Sequence, residues 1–129
     1  MPSDTLYDYD TQNIFAKILR GEIPSKPIFE SEHTLAFPDI TPQKKVHILV
    51  IPKEPYRCYD HFVQAASDVE QLDFFKTVAK VAKDVGVSEA NGGQGYRVVT
   101  NSGANSHQEV PHFHVHILGG EACGPLTAG

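Results

Sequence analysis

The sequence predicts an α+β domain built on a mostly antiparallel sheet of about five strands, with one short and one long helix. Five short runs rich in β-branched and aromatic residues stand at 27–30, 34–37, 46–51, 96–101 and 112–118. Two stretches repeat apolar residues at helical spacing instead. Between successive strands the chain is too short for parallel crossovers, except where the long helix intervenes. At 129 residues and 40% hydrophobic content it suits a single domain, 1–129, able to bury a core of its own.

Residues 1–9 show no period and read as a loosely held arm. Asp10 or Thr11 can cap a first helix of about three turns, in which Ile14, Phe15, Ile18 and Leu19 share a face and Gly21 stops the coil. After Pro24 the runs 27–30 and 34–37 form a hairpin across the polar Glu30 to His33 turn. Residues 39–45 are loop, and 46–51 is the most strand-like run, interrupted only by His47 and ended by Pro52. Residues 53–66 look irregular. Ser67 with Glu70 forms a capping box that opens the long helix. Its stripe of Val69, Leu72, Phe75, Val78, Ala79, Ala82 and Val85 should pack on the sheet, and Gly86 closes it in a left-handed cap. Residues 91–95 connect to the strand 96–101, a polar loop leads to 112–118, and 121–129 is a tail without pattern.

Composition excludes several classes. Eleven basic against sixteen acidic residues give a formal charge of -5, so a partner such as nucleic acid is not expected and any phosphate must be held by particular donors. Cys58 and Cys123 stand far apart, which indicates neither a disulfide framework nor a cysteine zinc site. Residues 1–10 lack the pattern of a leader, and no apolar run approaches about 18 residues, so a cytoplasmic protein without membrane partner is the expectation.

The chemistry concentrates in His112-Phe113-His114-Val115-His116-Ile117-Leu118. Alternation on a strand puts three imidazoles on one face, about 6.6 Å apart, and Phe113, Val115 and Ile117 on the other. Buried imidazoles left unpaired cost free energy, so three together point to function rather than filling. Spacing leaves two readings open. One is a metal site completed by His47 or a carboxylate. The other is covalent phosphoryl chemistry, with one imidazole as nucleophile and its neighbours as donors.

The run, followed by Gly119-Gly120, resembles the motif of the histidine-triad (HIT) superfamily, in its Hint branch of nucleoside phosphoramidate hydrolases. Residues 13–18 with 21–24, 36–43, 47–53 and 96–101 resemble Hint segments in the same order. The resemblance implies a HIT-like fold and a nucleotidyl-histidine mechanism that needs no metal or other cofactor. His114 then matches the nucleophile and His112 the residue whose carbonyl orients it. His116 matches a donor to phosphate oxygens, supported by His47. Asp39 matches the acceptor of ribose hydroxyls. Ile40 stands beside it, and Phe37, Ile14, Phe15 and Ile18 match the apolar slot of a purine ring. Asn101 matches a polar contact near phosphate and leaving group, and His107, Gln108 and Glu109 fall in the loop on that side. Glu109 stands where many eukaryotic Hint proteins have a serine, and the glutamate is similar to bacterial members. Asn13 and Ala16 occupy the places of a zinc-binding Cys pair found in some relatives, so no zinc is expected there. The implied activity is hydrolysis of purine nucleoside 5′-phosphoramidates to AMP or GMP and an amine, by a homodimer, with imidazolium and backbone donors on the phosphate. Alternatives are a dinucleoside polyphosphate hydrolase, as in the Fhit branch, and a nucleotide-binding interaction module with incidental hydrolysis.

Overall fold

A computed structural model describes residues 6–126. Its sheet is built of β1 (Phe29–Glu30), β2 (Thr34–Pro38), β3 (Val46–Pro52), β4 (Tyr96–Val99) and β5 (Val115–Gly119). Their order is β1-β2-β3-β5-β4, and every neighbouring pair is antiparallel. The fold is therefore α+β with a fully antiparallel five-stranded sheet. The α-helices among the described residues are α1 (Ile14–Leu19), α2 (Tyr59–Ala65) and α3 (Asp68–Asp84).

Pleat alternation sorts each strand between two cores. Ala36, Ile48, Val50, Val115 and Ile117 face α3 and join Phe62, Phe74 and Phe113. Leu35, Phe37, Leu49 and Ile51 face the other way and meet Phe15 of α1. His47 and His116 belong to this second face, the one α1 covers only in part. The register pairs Leu49 with His116 and His47 with Leu118, which makes the two imidazoles diagonal neighbours across the β3–β5 ladder.

The capping box of Ser67 and Glu70 is present, and Gly86 follows α3 with φ +86°. Elsewhere the structure differs from the sequence expectation. Helix α1 has six residues, not three turns, and Asn13 rather than Asp10 or Thr11 caps it, its side chain accepting from the Ala16 N–H. Residues 59–65, expected to be irregular, form α2; its N-cap Cys58 makes no side-chain cap bond, so no start signal was visible. The buried face of α3 is Phe74, Thr77, Val78, Val81 and Ala82, whereas Val69, Leu72 and Phe75 are exposed. Ladder pairing in the histidine run begins only at Val115; His112 and His114 precede it outside the sheet, with His112 in a bend. Of the arm, residues 1–5 lie outside the described residues, but Leu6, Tyr7 and Tyr9 make contacts. Arg57 Nη1 donates to the Leu6 carbonyl at 3.2 Å, and the Tyr7 ring stacks on His61. The tail expectation 121–129 overlaps a clamp: the Arg97 guanidinium donates to the carbonyls of Cys123, Gly124 and Pro125. Among the described residues no helix is long and apolar enough to cross a membrane.

Candidate active site

Partner atoms fix the proton on each ring. A carbonyl only accepts, so His114 Nδ1, 2.7 Å from the His112 carbonyl, carries the hydrogen. Its Nε2 therefore holds a lone pair. No hydrogen bond engages that nitrogen, and no buried side-chain nitrogen or oxygen is unpaired among the described residues, so Nε2 opens to the adjoining cavity. Thr100 Oγ1 donates to the His114 carbonyl at 2.7 Å, which holds the backbone from behind.

The second pair follows the same logic. The Gln43 backbone N–H donates to His47 Nδ1 at 3.0 Å, so His47 bears its proton on Nε2. That proton goes to His116 Nδ1 at 2.9 Å, which leaves His116 with an Nε2–H. A backbone amide thus sets the tautomer of a ring two steps away. The His114 and His116 rings stand 5.1 Å apart, centroid to centroid. One offers a lone pair, the other a donor.

Burial keeps these rings neutral. It pushes His116 down to about 4, with His114 and His47 adding to the effect, and lowers His47 and His114 below the usual imidazole range. The Asp39 and Glu109 carboxylates oppose that shift at His114 without reversing it. The donor that His116 offers the cavity is consequently a neutral imidazole N–H, where an imidazolium was expected.

These side chains border a cavity of about 580 Å³, which Asp39, Asn101, His107 and Glu109 also line. It adjoins a second, largely apolar cavity of about 720 Å³ walled by Ile14, Phe15, Ile18, Phe37 and Ile40. Phe15, Asp39 and Glu109 border both. Asp39 is braced, its Oδ1 accepting from the Thr41 N–H at 2.7 Å and its Oδ2 lying 3.4 Å from His47 Nε2. His107 takes a left-handed conformation, φ 58°, at the exposed rim. A further hollow of about 550 Å³ at residues 92–95 contains no imidazole or nucleophile.

Two expected site residues lie behind the wall instead of in it. Gln108 lines neither cavity; its amide donates to the carbonyls of Arg57 and Val110 and its oxygen accepts from Gly103 N–H, so it braces the loop. His112 is fully buried. Its Nε2 donates to the Pro52 carbonyl at 2.8 Å, and it meets His114 through its own carbonyl. Sequence reasoning did not single out Gln43 or Thr100 as supports: the Gln43 donor is a backbone N–H, which carries no residue signature, and the Thr100 hydroxyl meets the His114 carbonyl only through the fold. Asp39, His47 and His116 bring ligand atoms within 4.8 Å of one another, the separation of a metal trio. His47 Nε2 and His116 Nδ1, however, already share one proton, which a metal ion would have to displace.

Paired imidazoles thus face a split cavity on one side of an antiparallel α+β domain. Residues 20–123 match the HIT domain family, and the chain belongs to that family. It is 48% identical over 118 residues to a 13.2 kDa HIT-like protein of Azospirillum brasilense, covering 92% of this chain and 93% of that one. It is 37% identical over 117 residues to the purine nucleoside phosphoramidase of Escherichia coli, covering 91% and 94%. A HIT family hydrolase of Legionella pneumophila superposes with a TM-score of 0.78 at 36% identity, over 88% of this chain and 96% of that structure.

Proposed function

We propose that the protein hydrolyses purine nucleoside 5′-phosphoramidates through a nucleotidyl-histidine intermediate on His114. The observation that carries this reading is the free Nε2 of His114 in a cavity that continues past Asp39 into an apolar one. Phosphate, sugar and base would occupy that path in order. The purine stacks among Ile14, Phe15, Ile18, Phe37 and Ile40, and Asp39 accepts from the ribose hydroxyls.

His114 Nε2 donates its lone pair to the α-phosphorus while the P–N bond breaks. The amine leaves with the bonding pair and takes a proton from water in the open cavity. His116 Nε2–H, polarised through His47, donates to the phosphoryl oxygens as charge gathers there. The His112 carbonyl holds Nδ1–H and balances the positive charge of the substituted ring. Water then attacks phosphorus on the face opposite His114, loses its proton to solvent, and returns the electron pair to Nε2. Asn101 and the backbone near His107 and Glu109 border the leaving-group side. The likeness to the E. coli phosphoramidase supports the choice of a P–N bond.

The acting unit we propose is a homodimer within the cytoplasm. Exposed Val69, Leu72 and Phe75 on α3 and the open edge of β4, with Tyr96 and Val98 exposed, support it.

Intact mass measured at short times after mixing with adenosine 5′-phosphoramidate tests the mechanism. One AMP added to wild type and none to His114→Ala is the expected result. Turnover retained by His114→Ala removes the nucleophile assignment.

A further inference from the structure

We propose that Tyr9, on the arm ahead of α1, is a positioning residue that sets the geometry of His114 through His112. The inference rests on the phosphoramidate reading for its activity assay, but its structural content stands separately. His112 is fully buried and its Nε2–H is committed to the Pro52 carbonyl at 2.8 Å, so its Nδ1 can only accept. Tyr9 Oη lies 2.5 Å from that Nδ1 and donates to it.

The ring is thus pinned at both nitrogens, from two segments far apart in sequence. Burial pushes His112 down to about 4 and raises the Tyr9 phenol, so neither proton changes place near neutrality. What the two bonds hold still is the residue whose carbonyl receives His114 Nδ1–H. The Tyr9 ring also meets His112 edge-on at 5.6 Å. Without the phenol the His112 Nδ1 has no partner, and the ring gains a second tautomer and a flipped orientation that loses the Pro52 bond. Movement there reaches the His114 ring through one hydrogen bond. The contacts of Leu6 with Arg57 and of Tyr7 with His61 dock the arm so that Tyr9 arrives in place.

Tyr9→Phe in the full chain removes one O–H and keeps the ring. The measurements are steady-state turnover of adenosine 5′-phosphoramidate, thermal unfolding, and long-range ¹⁵N spectra of the histidine rings. With melting shifted by less than about 5 °C, kcat should fall about tenfold and KM stay within about twofold. The His112 ¹⁵N signals should move from one Nε2–H tautomer toward a mixture, and the His114 signals should shift with them. Wild-type kcat in the variant overturns the proposal. So does a fall in kcat with unchanged His112 and His114 signals, since the route would then bypass His112. If the wild-type protein itself fails to turn over the substrate, the phosphoramidate reading falls; the ¹⁵N signals then decide alone, and unchanged signals in Tyr9→Phe overturn the positioning.

Discussion

Replacing His47 by Phe isolates the hydrogen-bond relay from simple packing. The ring is 6% exposed and Phe fills a similar volume, so the change removes two nitrogens and little else. The bond from Gln43 N–H is lost, but Gln43 is exposed and water can take its place, a cost of about 1 kcal/mol or less. The larger effect is on His116. Held near 4, it is neutral at pH 7 and carries a single ring proton. With His47 gone, nothing directs that proton to Nε2, and a lone pair then faces the phosphoryl oxygens for much of the time. A hydrogen bond to a charged acceptor contributes about 1.5–3 kcal/mol, which corresponds to about 13- to 160-fold in kcat/KM. His47→Gln keeps a donor and an acceptor in reach of both neighbours and should recover most of that loss. Steady-state turnover of adenosine 5′-phosphoramidate by the two variants, with melting curves alongside, is the assay. His47→Phe within about twofold of wild type, or His47→Gln as impaired as His47→Phe, refutes the relay.

Acid should unfold the protein earlier than its carboxylates alone would dictate. His112 and His116 titrate at about 4 when folded against 6.5 when free, so the unfolded chain binds more protons between those values and stability falls as pH drops through that window. For the buried His112 the difference corresponds to about 3 kcal/mol; urea midpoints that stay level from pH 7 to 4.5 would contradict it. Sedimentation should show a dimer for wild type and a monomer of unchanged helicity for Leu72→Glu with Phe75→Glu, and a wild-type monomer would remove the assembly from the proposal.

The histidine run was legible because alternation and composition agree: Phe113, Val115 and Ile117 are buried in the core and their neighbours are imidazoles on the opposite face. What the sequence could not state was which atom of each ring is free. That depends on Pro52, Gln43 and His112, whose contributions are a carbonyl, a backbone N–H and a second carbonyl brought in by the fold. Tyr9 escaped notice for a related reason. An aromatic residue in a polar arm has no period, and only its partner 103 positions away gives it a place.

The misjudged face of α3 has a specific cause. The expected stripe holds at Val78 and Ala82, which are buried, but spacing weighs Val69, Leu72 and Phe75 no less than Phe74 and Val81 as their companions. The choice between them is made by a polar group. Asp73 Oδ2 accepts from Ser31 Oγ at 2.6 Å and from Thr34 Oγ1 at 2.7 Å, and Thr34 is fully buried. The Thr34 hydroxyl would lie unpaired if the helix were rotated toward the other stripe, a penalty of about 1–3 kcal/mol, and the half-buried Ser31 would lose its acceptor. Rotation is therefore set by the β1–β2 turn, through charge-assisted bonds, and Phe74 enters the core as a consequence. The same rotation leaves the first stripe largely exposed, with Phe75 reaching only the edge of the core at Phe62 and Phe74. That apolar row, one residue per turn and kept from the core by Asp73, is the surface on which the homodimer we propose would close.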